Sequence, residues 1–232
     1  EYTLPIHGFF NVNYADPGYE GYEGTYDQEN FNIIFDSMLS ENYRFYGEIG
    51  YRHGAEIDVD LYNVEGVGEV NVWNAYLDWI YSKQANLRFG KFLTPYGKWN
   101  VEQHSPAVYL SVWDPILVRR DIFPKTMTGV QFYGDTTLGS VDLIYNLYTG
   151  NGDGWRPHSE DDNQNKGIGS RVAVLTSVMN MGTLETGLNG YIGRDGTLYA
   201  IDWEALHGWR LKGDGSWEIV ATADGGKVKF WD

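Results

Sequence analysis

The chain has 232 residues, with 17 Lys and Arg against 32 Asp and Glu; its formal net charge of −15 leaves no basic stripe to replace the counterions of a nucleic acid. It contains no cysteine, which excludes a disulfide scaffold, a Cys-ligated zinc site, an iron–sulfur cluster and a thiol nucleophile. No apolar run approaches the ~20 residues of a membrane helix, whereas a mean hydropathy of −0.42 with 16% aromatic residues suits either a soluble β protein or a membrane β-barrel.

Short stretches of period-two alternation, separated by clusters of Gly, Asn and Asp, predict strands throughout. In chain order they fall at Leu4–Tyr14, Phe31–Ser40, Phe45–Tyr51, Val70–Tyr81, Asn86–Leu93, Thr128–Gly134, Val141–Thr149, Ile168–Ser177, Leu184–Ile192, Tyr199–Leu206 and Trp217–Ala223, about eleven strands. Along Val70–Tyr81, Trp73, Ala75, Leu77, Trp79 and Tyr81 alternate with Val72, Asn74, Tyr76, Asp78 and Ile80. Aromatics stand near the end of the first set, where an interfacial girdle would put them. Along Val141–Thr149, Val141, Leu143, Tyr145 and Leu147 alternate with Asp142, Ile144, Asn146 and Tyr148. Phe45, Gly47, Ile49 and Tyr51 alternate with Tyr46, Glu48 and Gly50. In a soluble sandwich such faces would meet across a core.

Short turns are expected at Glu41–Asn42, Lys83–Gln84, Thr136–Gly139 and Asn180–Gly182, and long polar loops at Asp16–Asn30 and Gly150–Lys166. That alternation suits an up-and-down meander whose two ends face different compartments. Thr94–Met127 interrupts it. Prolines at 95, 106, 115 and 124 keep this segment out of a central strand, since each lacks a ladder donor. Val108, Tyr109, Leu110, Val112, Trp113, Ile116, Leu117, Ile122 and Phe123 make it too apolar for disorder. It is therefore expected to be an ordered loop packed on a surface, and in a barrel the surface on offer is the lumen wall.

Residues 88–97, Arg-Phe-Gly-Lys-Phe-Leu-Thr-Pro-Tyr-Gly, resemble the strand end and Gly-Lys-Phe-x-x-Pro-[Phe/Tyr]-Gly motif of outer-membrane porins related to phosphate-selective porin O and P. Glu48–Gly54, the aromatic strand around Trp73–Tyr81, Gly129–Gly134 and Tyr145–Gly152 fit the same arrangement, so the resemblance covers Phe31 to Gly154. It implies a barrel in the bacterial outer membrane, surrounded by membrane lipid and lipopolysaccharide, assembled as a homotrimer, with a loop folded inward to narrow the pore. Two departures stand against a full transfer. The family's phosphate selectivity rests on a ladder of Arg and Lys that this acid-rich chain lacks, and the chain ends Phe230-Trp231-Asp232 where such barrels commonly end on an aromatic. Family members are also longer, and single-chain bacterial barrels use even strand numbers. The chain is accordingly expected to be a mature, processed segment that lacks further strands, or one in which Trp217–Asp232 is not the natural closing strand.

The constriction is expected to draw on Lys98, Glu102, Asp114, Arg119, Arg120, Asp121 and Lys125, with His104 nearby; acids and bases facing each other across a narrow lumen orient polar solutes. The same Arg119 and Arg120 would equally serve to pin the loop against Asp114 and Asp121. Glu48, Asn74, Asp78, Asp142 and Asn146 are expected to face the lumen, and Trp73, Ala75, Leu77, Trp79, Val141, Leu143, Tyr145 and Leu147 to face lipid. Asp153 with Glu160, Asp161 and Asp162 lacks the EF-hand spacing and reads as a solvated loop. The histidines at 7, 53, 104, 158 and 207 form no i,i+4 pair, and no Gly-x-Ser-x-Gly elbow surrounds Ser105, so no metal, catalytic residue or cofactor is expected. The reading is an all-β, transmembrane, antiparallel up-and-down barrel, one domain over residues 1–232, passing small hydrophilic solutes or ions. Its alternative is a soluble or surface glycan-binding β-sandwich, with exposed Trp stacking on sugar rings.

Overall fold

The computed structural model describes residues 5–15, 25–52, 69–102, 124–151, 166–178, 182–193, 198–202, 207–211, 217–224 and 227–230. They form thirteen strands and one short helix: β1 (Ile6–Ala15), β2 (Thr25–Ser40), β3 (Tyr43–Arg52), β4 (Glu69–Ile80), β5 (Asn86–Leu93), α1 (Gly97–Glu102), β6 (Thr126–Leu138), β7 (Val141–Asn151), β8 (Lys166–Val178), β9 (Gly182–Ile192), β10 (Leu198–Asp202), β11 (His207–Leu211), β12 (Trp217–Asp224) and β13 (Lys227–Phe230). All thirteen lie in one antiparallel sheet whose spatial order is their sequence order. The protein is all-β and up-and-down. The strands do not divide into two stacked sheets, so the sandwich weighed from the same alternation is not the arrangement that forms. No pairing among the described residues joins β1 to β13.

The connections alternate in length. Glu41–Asn42, residues 81–85, Gly139–Ser140 and residues 179–181 join strands at one end. Intervals 16–24, 53–68, 94–125 and 152–165 do so at the other. Several expected boundaries move. β2 begins at Thr25, so the first long interval is 16–24 and not Asp16–Asn30. β6 runs through the polar Asp135, Thr136 and Thr137 to Leu138, and the turn falls at Gly139–Ser140, with Gly139 at φ 65°. β11 and β13, of five and four residues, raise the strand number above the expected eleven.

Register fixes what each face carries, because successive side chains point to opposite sides. Arg44, Asp78, Arg88, Gln131 and Tyr148 occupy one row across β3–β7, and Asn146, Arg171 and Asn189 continue the same face to β9. The opposite face carries Phe45, Leu77, Phe89, Val130, Leu147, Val172 and Leu188. Solvent exposure is inverted relative to a soluble sheet. Glu48 and Asp78 are fully buried, whereas Phe10 is 70% and Leu188 72% exposed.

Trp73 corrects the expected register. The pairing of β3 with β4 shifts between Glu48 and Ile49, so that Glu48 meets Asn74 while Ile49 meets Val72. Trp73 is the extra residue of this bulge, and its indole lies over Gly50 on the polar face, where a Cβ on Gly50 would meet the ring. Ala75, Leu77 and Trp79, beyond the bulge, stand on the apolar face with Val141, Leu143, Tyr145 and Leu147.

The core lies on the polar side. Tyr76, Phe92, Met127, Tyr148 and Tyr191 from five strands pack with Tyr96 and Trp99, which arrive on the segment leaving β5. A row of glycines, Gly90, Gly129, Gly150 and Gly167, crosses β5–β8 on the same face. Backbones approach closely there, and a Cβ on Gly150 would stand 2.7 Å from Met127 Cγ. Gly90 takes φ 127°, a conformation side chains disfavour, and glycine rows of this kind let a sheet curl.

Candidate functional site

The site is built where the chain leaves β5. Thr94 ties the two ends of the interval together: its amide donates to Lys125 O at 3.1 Å and its hydroxyl donates to Pro124 O. Asn100 Nδ2 adds bonds to Thr94 O at 2.8 Å and Lys125 O at 2.9 Å. Gly97, at φ 60°, turns the chain into α1. Its amide then donates to Asn189 Oδ1 at 2.9 Å, so the segment starting on β5 reaches β9 and lies over the strands between. Pro95 and Tyr96 are buried beneath this crossing.

Charged groups on the polar face are arranged in pairs. Arg88 donates to both oxygens of Asp78, at 2.7 and 3.1 Å, and its guanidinium lies 3.7 Å from the Tyr76 ring centroid. Arg44 holds Asp36 in the same bidentate manner, at 2.7 and 2.6 Å. Arg171 donates to Glu185 at 2.6 Å, and Gln131 to Asn146 at 2.7 Å. Glu48 accepts from Asn32 at 2.7 Å and from Asn74 at 2.8 Å, one bond to each carboxylate oxygen. The Lys125 ammonium sits 4.9 Å from the Trp73 ring. Planar, bidentate guanidinium–carboxylate pairs fix both partners in orientation, which a flexible ammonium would not do.

The expected site residues therefore divide. Glu48, Asn74, Asp78, Asp142 and Asn146 stand on one face. Asp78 is held by Arg88 on the adjacent strand. Asp142 lies near the short-turn end, exposed and accepting from Thr137, away from the crossing segment. Lys98 and Glu102 lie on α1, and Lys125 lies just before β6. Asp114, Arg119, Arg120, Asp121, His104, Asp153 and Glu160–Asp162 lie outside the described residues. No group of His, Asp and Glu suited to hold a metal ion occurs among the described residues. Sequence reasoning missed Asp36, Arg44, Arg88, Arg171, Glu185 and Asn189 as functional. The available signal was phase: each falls on the same alternating set as Glu48, Asp78 or Asn146.

Comparison with known proteins finds no family model that matches the chain. A stretch of 151 residues, 64% of the chain, is 32% identical to an uncharacterized protein of Aquifex aeolicus (strain VF5). It covers 32% of that protein, so the chain spans about a third of the length of this relative.

Proposed function

We propose that this chain forms wall of a β-barrel in the bacterial outer membrane, and that small hydrophilic solutes or ions diffuse passively along its polar face. The observation that carries the reading is the inversion of the two faces. From β1 to β9 the large exposed side chains on one face are apolar, among them Phe10, Phe31, Phe45, Phe89, Val172 and Leu188, while on the other face Asp78–Arg88 and Arg171–Glu185 are largely buried ion pairs and Asp36–Arg44 a half-buried one. A contiguous apolar face of that extent needs a covering, and lipid supplies it along every strand at once. Strands of ten to sixteen residues over β1–β3 match the length a tilted strand needs to cross a bilayer.

In this reading the polar face is the lumen wall, the segment from Thr94 is a constriction, and the sheet end at Arg52, Glu69, Asn151 and Lys166 is turned toward the cell exterior. The resemblance to porins of the O and P type belongs to the same proposal, without phosphate selectivity, because Arg44, Arg88 and Arg171 are each held by a carboxylate. Closure of the sheet is part of it too, since open edges do not persist in hydrocarbon. The test is fractionation of the full-length protein. It should partition with detergent-extracted outer membranes and migrate faster on gels before heating than after. Recovery in the aqueous phase without detergent would sink the reading and favour a soluble, glycan-binding role.

A further inference from the structure

Glu48 is fully buried, and its partners lead to both ends of the interval 94–125. Asn74, opposite it on β4, donates to Glu48 Oε2 at 2.8 Å, and Asn74 Oδ1 accepts from the amide of Leu93 at 3.2 Å, where the chain leaves β5. Asn32 on β2 donates to the other carboxylate oxygen at 2.7 Å. Both donors are neutral amides. They satisfy lone pairs without cancelling the charge, and a buried carboxylate needs a cation. Lys125, where the chain enters β6, supplies a favourable charge to Glu48. Its ammonium lies 4.9 Å from the Trp73 ring, and that ring lies over Gly50, two residues beyond Glu48. The bulge in β4 brings the ring there, since unbroken pairing would turn Trp73 to the apolar face. The backbone of Lys125 is fixed at the same place, its carbonyl accepting from Thr94 and Asn100.

We infer that Glu48 positions the segment that forms the constriction, holding it through Asn74 at its exit from β5 and through Lys125 at its return to β6; the inference rests on the constriction reading above. The bonds of Thr94 and Asn100 to the Lys125 carbonyl close the two ends on each other, and the Gly97 bond to Asn189 fixes the far reach on β9. Glu48 adds an attachment of both ends to β2–β4, and it does so with a charge. The same contact bears on ion passage. A lysine matched by a carboxylate presents little net charge to a passing ion, so loss of Glu48 turns this end of the segment cationic.

Planar-bilayer recording of the full-length protein tests this with Glu48→Gln, Lys125→Met and the double variant. Each single variant should raise the frequency of conductance flicker roughly tenfold, the factor that corresponds to a coupling of about 1.4 kcal/mol. The double variant should flicker no more than the worse single one, because both substitutions remove one contact. Asp135→Asn, at the short-turn end, should leave the flicker at the wild-type level. Glu48→Gln should also move the reversal potential under a KCl gradient toward anions, and adding Lys125→Met should move it back. Effects that multiply in the double variant would overturn the inference. So would a Glu48→Gln protein that melts lower yet keeps wild-type flicker and selectivity, since Glu48 would then have a packing role alone. Should Glu48→Gln fail to insert, Lys125→Met, a change at a partly exposed side chain, carries the test, and wild-type flicker there would overturn the inference equally. A conducting wild type with unresponsive variants defeats this inference alone. A wild type that inserts and does not conduct defeats the pore reading beneath it as well.

Discussion

The Gly97 amide and the Asn189 side chain, 92 residues apart in sequence, meet at 2.9 Å. This bond carries the segment leaving β5 over the polar face as far as β9 and holds it there beside the Tyr96–Trp99–Tyr191 cluster. The segment is thus anchored across the polar face through a neutral hydrogen bond.

Asn189→Leu should therefore loosen the segment without abolishing the sheet. It leaves a buried N–H without its acceptor, at a cost of about 1–3 kcal/mol. The full-length variant should melt at a lower temperature than wild type and show noisier or larger conductance steps in planar bilayers. Unchanged melting and unchanged noise would mean that the bond does not hold the segment.

The two faces should respond unequally to polar substitution. Leu77 lies on the apolar face three residues before the end of β4, and Leu77→Arg should lower folding stability in lipid vesicles by up to about 2–4 kcal/mol, the midplane cost. Asn146→Ser on the polar face should cost about 1 kcal/mol, the loss of its bond from Gln131. Urea titrations of the vesicle-folded protein measure both. Equal losses would contradict the assignment of faces.

Much of this polarity was legible in the alternation of β4 and β7, where Asp78, Asp142 and Asn146 fall in one phase and Trp79, Val141 and Leu147 in the other. Trp73 was not, because a single bulge residue inverts the phase on one side of it and leaves no mark in composition. The end of β6 was hidden by Asp135–Thr137, whose polarity reads as a turn although the residues remain paired with β7. The charge pairs were hidden for another reason. Arg88 and Asp78 lie on different strands and meet only once register is set, so each alone reads as a solvated charge. Asn189, far from the proline-rich segment in sequence, gave no sign that it would receive Gly97.

The Asp78–Arg88 pair should be strongly coupled. Asp78 is fully buried and the Arg88 side chain only 16% exposed, so Asp78→Asn strands a buried guanidinium and should cost about 3–5 kcal/mol. Combining it with Arg88→Met should recover part of the loss, and a double-mutant cycle reads the coupling. Lys83–Asp135 is the contrasting case, 2.8 Å apart but exposed at the short-turn end, and Asp135→Asn there should leave stability unchanged within error. Similar losses at both pairs would contradict the burial of the first.

Ion selectivity follows from which charges remain unmatched. With Arg44, Arg88 and Arg171 each bound to a carboxylate and a net charge of −15 on the chain, a weak preference for cations is expected. Acids on the outer intervals add little, since screening acts within about 8–10 Å at physiological salt. Reversal potentials under a KCl gradient measure the preference. Strong anion selectivity would contradict the pairing argument and restore a phosphate-type pore.

A polar face that lines a path through a membrane conducts ions, and planar-bilayer recording of the full-length protein measures this. Discrete, stepwise conductance increments are expected that persist under an applied voltage and grow noisier in Asn189→Leu. Current indistinguishable from that of a protein-free bilayer, with protein demonstrably incorporated in the membrane, would contradict it.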